Sequence, residues 1–167
     1  MKQPSKKKKC VTRAKADIIF LSDTRLNSDN QIVSVNNLTK KFKFLGYDFF
    51  HNSKGPNRGT GILISSKLQS EIINTESDEE GNFIVLKVKI HNNILLIGSV
   101  YGPNVNENIH VFDELTAAVK NLNTSDIVLG GDWNCTWDCR NVDVNVDVLD
   151  MVSIPSKRRS EKLKKCV

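Results

Sequence analysis

The sequence contains no apolar run long enough to span a membrane, and its first residues are basic rather than apolar. A membrane-spanning helix needs about 20 consecutive apolar residues, and a secretory signal needs an apolar stretch near its start. We therefore predict an intracellular protein that does not have a membrane as its partner. There is no internal repeat, and the only low-complexity stretch is the early lysine run, so repeat architectures are excluded.

Groups that bind zinc are also scarce. Cys135 and Cys139 form a close pair, but Cys10 and Cys166 lie near the two ends of the sequence. A structural zinc site needs about four Cys or His ligands at fitting spacing. The close pair has no such companions, so we expect free thiols.

The net charge of +5 is unevenly distributed. Residues 1–15 carry +7 and residues 155–167 carry +5, and subtracting both from the total leaves −7 for the remainder. An acidic body with basic ends suits a central cation site and a polyanion, such as DNA, held at the periphery. Solvated tails with a role in nuclear import are an equally good interpretation. We expect a nuclear protein in either case.

The length and composition predict one domain. A chain of 167 residues with 39% hydrophobic residues can bury a substantial core but is too short to form two domains. We predict a flexible basic leader over residues 1–15, an α/β domain over residues 16–154 and a basic tail over residues 155–167.

Apolar periodicity predicts strands interspersed with two amphipathic helices. Ala16 to Leu21 is apolar except for Asp17, which is typical of a strand buried on both faces. The runs 83–90 and 94–100 are joined by a short polar turn and predict an antiparallel hairpin. Further strands are predicted at 47–50, 59–65 and 126–129. The helices are predicted from the apolar positions Val35, Leu38, Phe42 and Leu45, ended by Gly46, and from Ile109, Phe112, Leu115, Val119 and Leu122. The three histidines, His51, His91 and His110, are interpreted as ordinary loop or helix-start residues.

The stretch from Val128 to Asn134 joins an apolar run, interpreted as a buried strand, to two glycines and two polar side chains. The glycines allow a ligand or another backbone to come close. Asp132 and Asn134 stand two apart, so in an extended chain they point the same way, towards one phosphate or one water. The alternative is a polar turn in which both residues bond only their own backbone, and the stretch taken alone favours it.

Polar residues also follow two other predicted strands. Asp23 follows the first strand, and Tyr101 with Asn104 follows the second strand of the hairpin. Each has an ordinary explanation, since Asp23 can cap the next turn and Tyr101 can be an aromatic at the core edge. Arg58 lies in a polar loop, where an arginine usually contacts only water.

In their order and spacing, ADIIFLSDTRL, GTGILIS, VYGPN and VLGGDWN resemble the endonuclease/exonuclease/phosphatase superfamily, which has the fold of deoxyribonuclease I and the apurinic endonucleases. The resemblance covers about residues 16 to 138. It is greatest to the endonuclease domain of non-LTR (LINE-type) retrotransposons, which is associated with a reverse transcriptase. The resemblance implies a partial four-layer α/β sandwich, in which two packed mixed or antiparallel sheets are flanked by helices.

The resemblance also implies a set of roles. Asp23 matches the metal-binding carboxylate, where the family usually has Glu, and Tyr101 matches the tyrosine that contacts the scissile phosphate or its leaving oxygen. Asp132 matches the aspartate that activates or orients the attacking water, and Asn134 matches the asparagine that holds the phosphate. Mg²⁺, or Mn²⁺, would neutralise the phosphoryl oxygens while a carboxylate takes the proton. Further candidate contacts to phosphate or DNA are Asn104, Arg25 and Arg58.

Two family elements have no counterpart in the sequence: a first strand with an Asn metal ligand and a final Asp-His pair. We therefore expect an incomplete, monomeric endonuclease domain, whose metal-dependent cleavage of DNA is impaired and whose sheet edges are exposed. Two alternatives stay open. One is a non-catalytic remnant that binds nucleic acid through its basic tails, and the other is a phosphatase or phosphodiesterase branch of the same superfamily.

Overall fold

A computed structural model describes residues 16–26, 28–53, 58–103 and 110–134, with only the backbone described for 28–34. Asn104, the four cysteines and both basic segments lie outside the described residues. The domain limits and the free thiols therefore stay predictions. Neither of the two α-helices in the described residues has the length and apolar character needed to cross a membrane.

The first sheet contains three antiparallel strands in the order β1-β3-β2. They are β1 (Ile18–Leu21), β2 (Tyr47–Asn52) and β3 (Thr60–Ser65), and helix α1 (Ser28–Phe44) connects the first two. Every residue of β3 is buried, because it is the central strand and both of its faces are covered. The strands predicted in these regions are confirmed, and so is the helix.

The second sheet contains four strands in the order β4-β5-β6-β7. They are β4 (Glu71–Ser77), β5 (Phe83–Ile90), β6 (Asn93–Tyr101) and β7 (Ile127–Asp132). The predicted hairpin is confirmed as the antiparallel pair β5–β6. Strand β7 is parallel to β6, and helix α2 (Val111–Leu122) lies in the crossover that a parallel pair requires.

Successive side chains of β5 point to opposite faces of the second sheet, and each face packs against a different layer. Phe83 and Val85 pack with α2, whereas Ile84 and Leu86 pack against Ile62 of the first sheet. On the far side of the first sheet, a third cluster joins buried Phe49 and Leu63 of the sheet with Phe42 of α1. The order of layers is therefore helix, sheet, sheet, helix, and the predicted four-layer α/β sandwich is confirmed.

Contacts between the sheets bring the end of β1 to the ends of β6 and β7. The Ser99 Oγ of β6 donates a hydrogen bond of 2.9 Å to the carbonyl oxygen of Leu21. The ring of Phe20 lies so close to Gly130 that a Cβ on this glycine would stand 2.6 Å from it. The segments that follow β1, β6 and β7 therefore begin close together.

The two strands predicted to be buried, β1 and β7, are both edge strands, so this part of the prediction is wrong. All four residues of β1 are half-buried, and Ile127 and Val128 of β7 are 45% and 50% exposed. Each strand pairs with only one neighbour in the described sheets, which leaves one side uncovered. Strand β7 also continues through both glycines to Asp132, instead of ending at Leu129.

Two further features differ from the sequence interpretation. Strand β4 was not predicted, because Glu71–Ser77 is mostly polar and forms a strand only through its ladder with β5. His51 is not a loop residue: it lies in β2, half-buried, with its ring stacked on Phe49 at a centroid distance of 5.1 Å.

Candidate functional site

The segment after β1 is held in an uncommon backbone conformation. Asp23 and Arg25 have φ angles of +50° and +51°, in the left-handed region that non-glycine residues seldom adopt. Two backbone hydrogen bonds of 2.9 Å hold the segment, from Thr24 N to the Gly59 carbonyl and from Arg25 N to the Arg58 carbonyl. Gly59 permits this approach, since a Cβ there would lie 2.4 Å from the Thr24 Oγ1.

The two residues flanking Thr24 form an ion pair. The Arg25 Nε lies 2.9 Å from the Asp23 Oδ1, and the hydrogen bond and the charge of Asp23 raise the pKa of the Arg25 guanidinium above its ordinary value. Desolvation opposes this shift, and Tyr101 adds a smaller electrostatic contribution in the same direction. The hydrogen bond from Ser99 to Leu21 and the contact of Phe20 with Gly130 place the start of this segment beside β6 and β7.

Tyr101 ends β6 directly beside the end of β7. It is the register partner of Asp132 in the parallel pair, and its backbone N–H donates a 2.6 Å hydrogen bond to the Asn82 carbonyl. Gly102 continues the ladder, because its N–H donates to the Asp132 carbonyl at 2.6 Å. The phenol and the exposed carboxylate therefore lie side by side, at the carboxyl ends of two neighbouring parallel strands.

Asp132 and Asn134 do not lie along one extended strand, so the geometric basis of that prediction is wrong. Asn134 has a φ of +49°, and its backbone N–H donates to the Asp132 Oδ1 at 3.1 Å. This is a local turn of the kind that Asp favours. The Asn134 Nδ2 also donates a 2.7 Å hydrogen bond to the Gly102 carbonyl, which ties the turn to the end of β6.

Arg58 is anchored by protein groups. Its Nη1 donates to the Glu80 Oε2 at 3.1 Å and forms a second hydrogen bond with the Asn82 Oδ1, and its side chain is only 23% exposed. The expectation that an arginine in this loop contacts only water is therefore wrong. Because Asn82 also accepts from the backbone of Tyr101, it links Arg58 to the strand end that carries the phenol.

A buried carboxylate holds Asn82 in place. Asp78 is 6% exposed and accepts hydrogen bonds from the backbone N–H and the Nδ2 of Asn82, and from the backbone N–H of Phe83. It also accepts from the Nδ2 of Asn52 at 2.8 Å, at the end of β2 in the other sheet. Sequence reasoning missed this network, since nothing in the polar segment before β5 distinguishes a buried aspartate from an exposed one.

The structure thus brings together most of the predicted site residues. Asp23 and Arg25 form an ion pair in the segment after β1, which begins beside β6, and Tyr101 joins Asp132 and Asn134 through the β6–β7 ladder and the bonds of Gly102. Arg58 is linked to this group through Asn82, which bonds both to Arg58 and to the backbone of Tyr101. The roles assigned to these residues stay predictions.

The donor atoms at this site do not make a magnesium site by themselves. Within the described ranges, no three His, Cys, Asp or Glu side chains come together as a metal-binding group. The carboxylate expected to bind the metal, Asp23, already pairs with the Arg25 guanidinium. A magnesium site needs several oxygen donors from carboxylates, phosphate or water. The role of Asp23 as a metal ligand stays a prediction, and the ion pair with Arg25 argues against it.

Comparison with solved structures identifies the fold. The AP endonuclease of Archaeoglobus fulgidus superposes with a TM-score of 0.64 and 16% identity over 95% of this chain and 62% of its own. The 3′–5′ exonuclease NExo of Neisseria meningitidis gives 0.63 and 16%, over 95% and 64%. ANGEL2, a 2′,3′-cyclic phosphatase, gives 0.57 and 14%, over 77% and 42%.

These neighbours are an endonuclease, an exonuclease and a phosphatase, and the chain shares their deoxyribonuclease I-like fold. It spans about three fifths of the length of the first two, at 62% and 64%. No protein-family model matches the sequence, and no curated protein matches it.

Proposed function

We propose that this chain, with its deoxyribonuclease I-like fold, carries the phosphodiester-binding part of a DNA endonuclease. The observation that supports the proposal is the meeting of three segments at one end of the packed sheets. The segment after β1 supplies a guanidinium, the end of β6 supplies a phenol, and the turn after β7 supplies a carboxylate and an amide. A phosphodiester and its attacking water need these kinds of groups.

Each group has a distinct part in the proposed reaction. Arginine presents five N–H donors, of which the bond to Asp23 uses one, so Arg25 can hold phosphoryl oxygens with others. The Asn134 amide uses one N–H on Gly102 and can offer the other to the phosphate. Tyr101 stands where its phenol can approach the leaving oxygen. The exposed carboxylate of Asp132 takes a proton from the attacking water.

A plasmid-nicking assay tests the assignment of Asp132. The replacement Asp132→Ala removes the proposed proton acceptor, so nicking is expected to fall about 100-fold or more, the range lost with a general base. The assay is run with Mg²⁺, with Mn²⁺ and with EDTA, which tests the expected cofactor separately from the residue.

The matched control is Asp126→Ala. Asp126 is an exposed carboxylate just before the other end of the same strand, and its contact with Leu96 uses the backbone carbonyl, which the replacement keeps. This variant is expected to nick at the rate of the unchanged chain. If Asp132→Ala leaves the same activity as the unchanged chain, the hydrolytic proposal is wrong, while the fold is unaffected.

We further propose that the substrate is chromosomal DNA and that the domain is of the LINE retrotransposon type. This rests on the motifs GGDWN and VYGPN and on the basic residues at 1–15 and 155–167, which suit both DNA and nuclear import. A fluorescent fusion with the lysines of 1–15 changed to glutamine is expected to lose nuclear accumulation. Retained accumulation would count against the import role of that segment.

A second candidate is a protein that binds nucleic acid without cleaving it. It is favoured by the donor set, which does not assemble a metal site within the described residues, and by the ion pair that neutralises Asp23. The logarithm of the affinity for a double-stranded DNA oligonucleotide is then expected to fall linearly with the logarithm of the salt concentration, with a slope near 0.9 for each phosphate neutralised. This binding is expected to need no Mg²⁺. Absence of binding at low salt would eliminate this candidate.

A further inference from the structure

We infer that the Arg25 guanidinium occupies the place beside Asp23 where a divalent cation would bind. The positive charge that contacts a phosphodiester at this site is then supplied by the side chain of Arg25. The geometry supports this, because the Arg25 Nε lies 2.9 Å from the Asp23 Oδ1, within the range of a charge-assisted hydrogen bond. The identity of the anion rests on the proposed function, whereas the competition with a metal ion does not.

The backbone holds the pair in place. Asp23 and Arg25 are separated only by Thr24, both adopt left-handed backbone conformations, and their side chains meet at 2.9 Å. The hydrogen bonds from Thr24 and Arg25 to the carbonyls of Gly59 and Arg58 fix this segment against the residues just before β3. The backbone of both residues is therefore held by a tied loop, which keeps the two side chains within reach of each other.

A divalent ion at Asp23 would have to approach a positive charge. The like charges would stand a few ångströms apart, and the carboxylate would lose its hydrogen bond to the guanidinium. The side chains are 69% and 35% exposed, so water screens the pair and the competition is modest. The hydrogen bond from Ser99 of β6 to the Leu21 carbonyl brings the segment that carries this guanidinium towards the strand that ends at Tyr101.

Mn²⁺ binding to the whole chain, measured by calorimetry, tests the competition. The variant Arg25→Gln keeps a polar side chain but frees the carboxylate, and it is expected to bind Mn²⁺ about 3- to 10-fold more tightly than the unchanged chain. The double variant Asp23→Asn with Arg25→Gln is expected to lose that gain. A gain that persists in the double variant, or no gain in Arg25→Gln, overturns the inference.

A second exposed ion pair supplies the control. Lys43 pairs with Asp48 between α1 and β2, and Lys43→Gln removes the cation from a surface carboxylate that still accepts a hydrogen bond from the Ser66 Oγ. It is expected to leave Mn²⁺ affinity unchanged. An equal gain in Lys43→Gln would show that any freed carboxylate suffices, and would overturn the inference.

The anion side is tested with a single-stranded oligonucleotide in EDTA. Arg25→Gln is expected to bind about 3- to 10-fold more weakly, whereas Lys43→Gln is expected to bind like the unchanged chain. Equal losses in both variants would reduce Arg25 to one of many surface charges and overturn its role in anion binding. Neither measurement depends on DNA cleavage, so failure of the nicking assay leaves both results interpretable. Thermal unfolding of each variant confirms that it is folded.

Discussion

Asn134 combines a left-handed backbone with two hydrogen bonds, one from its backbone N–H to Asp132 and one from its Nδ2 to the Gly102 carbonyl. Asparagine tolerates this conformation better than most residues, because its short polar side chain can bond locally. The Asn134 amide, which the sequence suggested as a phosphate contact, therefore also stabilises the turn after β7.

The replacement Asn134→Asp tests this stabilising role. It keeps the shape and the left-handed backbone but puts an oxygen in place of the Nδ2, 2.7 Å from the Gly102 carbonyl. We expect the free energy of unfolding in urea to fall by about 1–2 kcal/mol, because an accepted hydrogen bond becomes a repulsion between oxygens. Asn134→Gly removes the bond without the repulsion and is expected to cost less. If Asp costs no more than Gly, the bond to Gly102 contributes little.

The pKa of His51 is set by its position in the fold as well as by its residue type. Its half-buried position lowers the pKa of the imidazole below the ordinary value of about 6.5. When the pH falls below that ordinary value, His51 is protonated in the unfolded chain before it is protonated in the folded chain. The unfolded state then binds more protons, so the free energy of unfolding falls as the pH decreases. Above that ordinary value, both states are neutral and the contribution does not change with pH.

We therefore expect the free energy of unfolding to decline as the pH is lowered from neutrality through about 6.5, and His51→Gln to flatten that decline. Denaturant titrations at several pH values measure the slope. His91 lies exposed in the turn between β5 and β6, so His91→Gln is the control and is expected to keep the slope. A slope that is identical in His51→Gln and the unchanged chain would contradict the prediction.

At the scale of elements, the end of β6 and the turn after β7 are packed backbone against backbone. A Cβ on Gly102 would lie 2.0 Å from the Trp133 carbonyl oxygen and 2.5 Å from its carbonyl carbon. A Cβ on Gly98, within β6, would lie 2.5 Å from the Cδ2 of Leu129, which is the far end of a flexible side chain. The first conflict can be relieved only by moving the backbone of the turn.

Gly102→Ala is therefore expected to cost about 2–3 kcal/mol of unfolding free energy and to reduce nicking, because it displaces the turn between Asp132 and Asn134. Gly98→Ala is the matched control and is expected to cost about 1 kcal/mol with little change in nicking, since Leu129 can adopt another rotamer. The two variants are compared in urea and in the nicking assay. Equal effects of the two alanines would show that the turn accommodates the displacement.

The elements were predictable to different degrees. The helices and the hairpin follow from apolar periodicity and the central strand β3 follows from a continuous apolar run, because the burial of their side chains matches those patterns. Strand β4 was missed, since an edge strand needs only backbone partners on one side and carries few buried side chains. The burial of β1 and β7 was overestimated for the same reason, because an apolar run does not reveal how many neighbours its strand has.

At the scale of the whole molecule, one buried carboxylate ties the two sheets together beside the site. Asp78, in the segment between β4 and β5, accepts from Asn52 at the end of β2 and from the backbone of Asn82 and Phe83. Asn82 in turn bonds to Arg58 and to the backbone of Tyr101. The position of the site relative to both sheets therefore depends on a residue with no proposed chemical role.

Replacing Asp78 with alanine is expected to lower the free energy of unfolding by about 3–5 kcal/mol, because several buried donors lose their acceptor together. Urea denaturation measures the loss, and Asp126→Ala, which removes an exposed carboxylate, is expected to change stability by less than about 0.5 kcal/mol. A loss below about 1 kcal/mol in Asp78→Ala would mean that the network reorganises around water.

The sequence by itself determined most strands and helices, because burial patterns are local properties of the chain, and the resemblance of its motifs to a known superfamily implied the four-layer fold and the residues of the site. That resemblance implied Asp23, Tyr101, Asp132 and Asn134 together, and the structure brings the segments that carry them to one end of the packed sheets. Only the tertiary structure decided that Arg25 neutralises Asp23 and that Asp78 is buried. Those outcomes depend on which backbone groups, such as the carbonyls of Gly59 and Arg58, another part of the chain brings within reach.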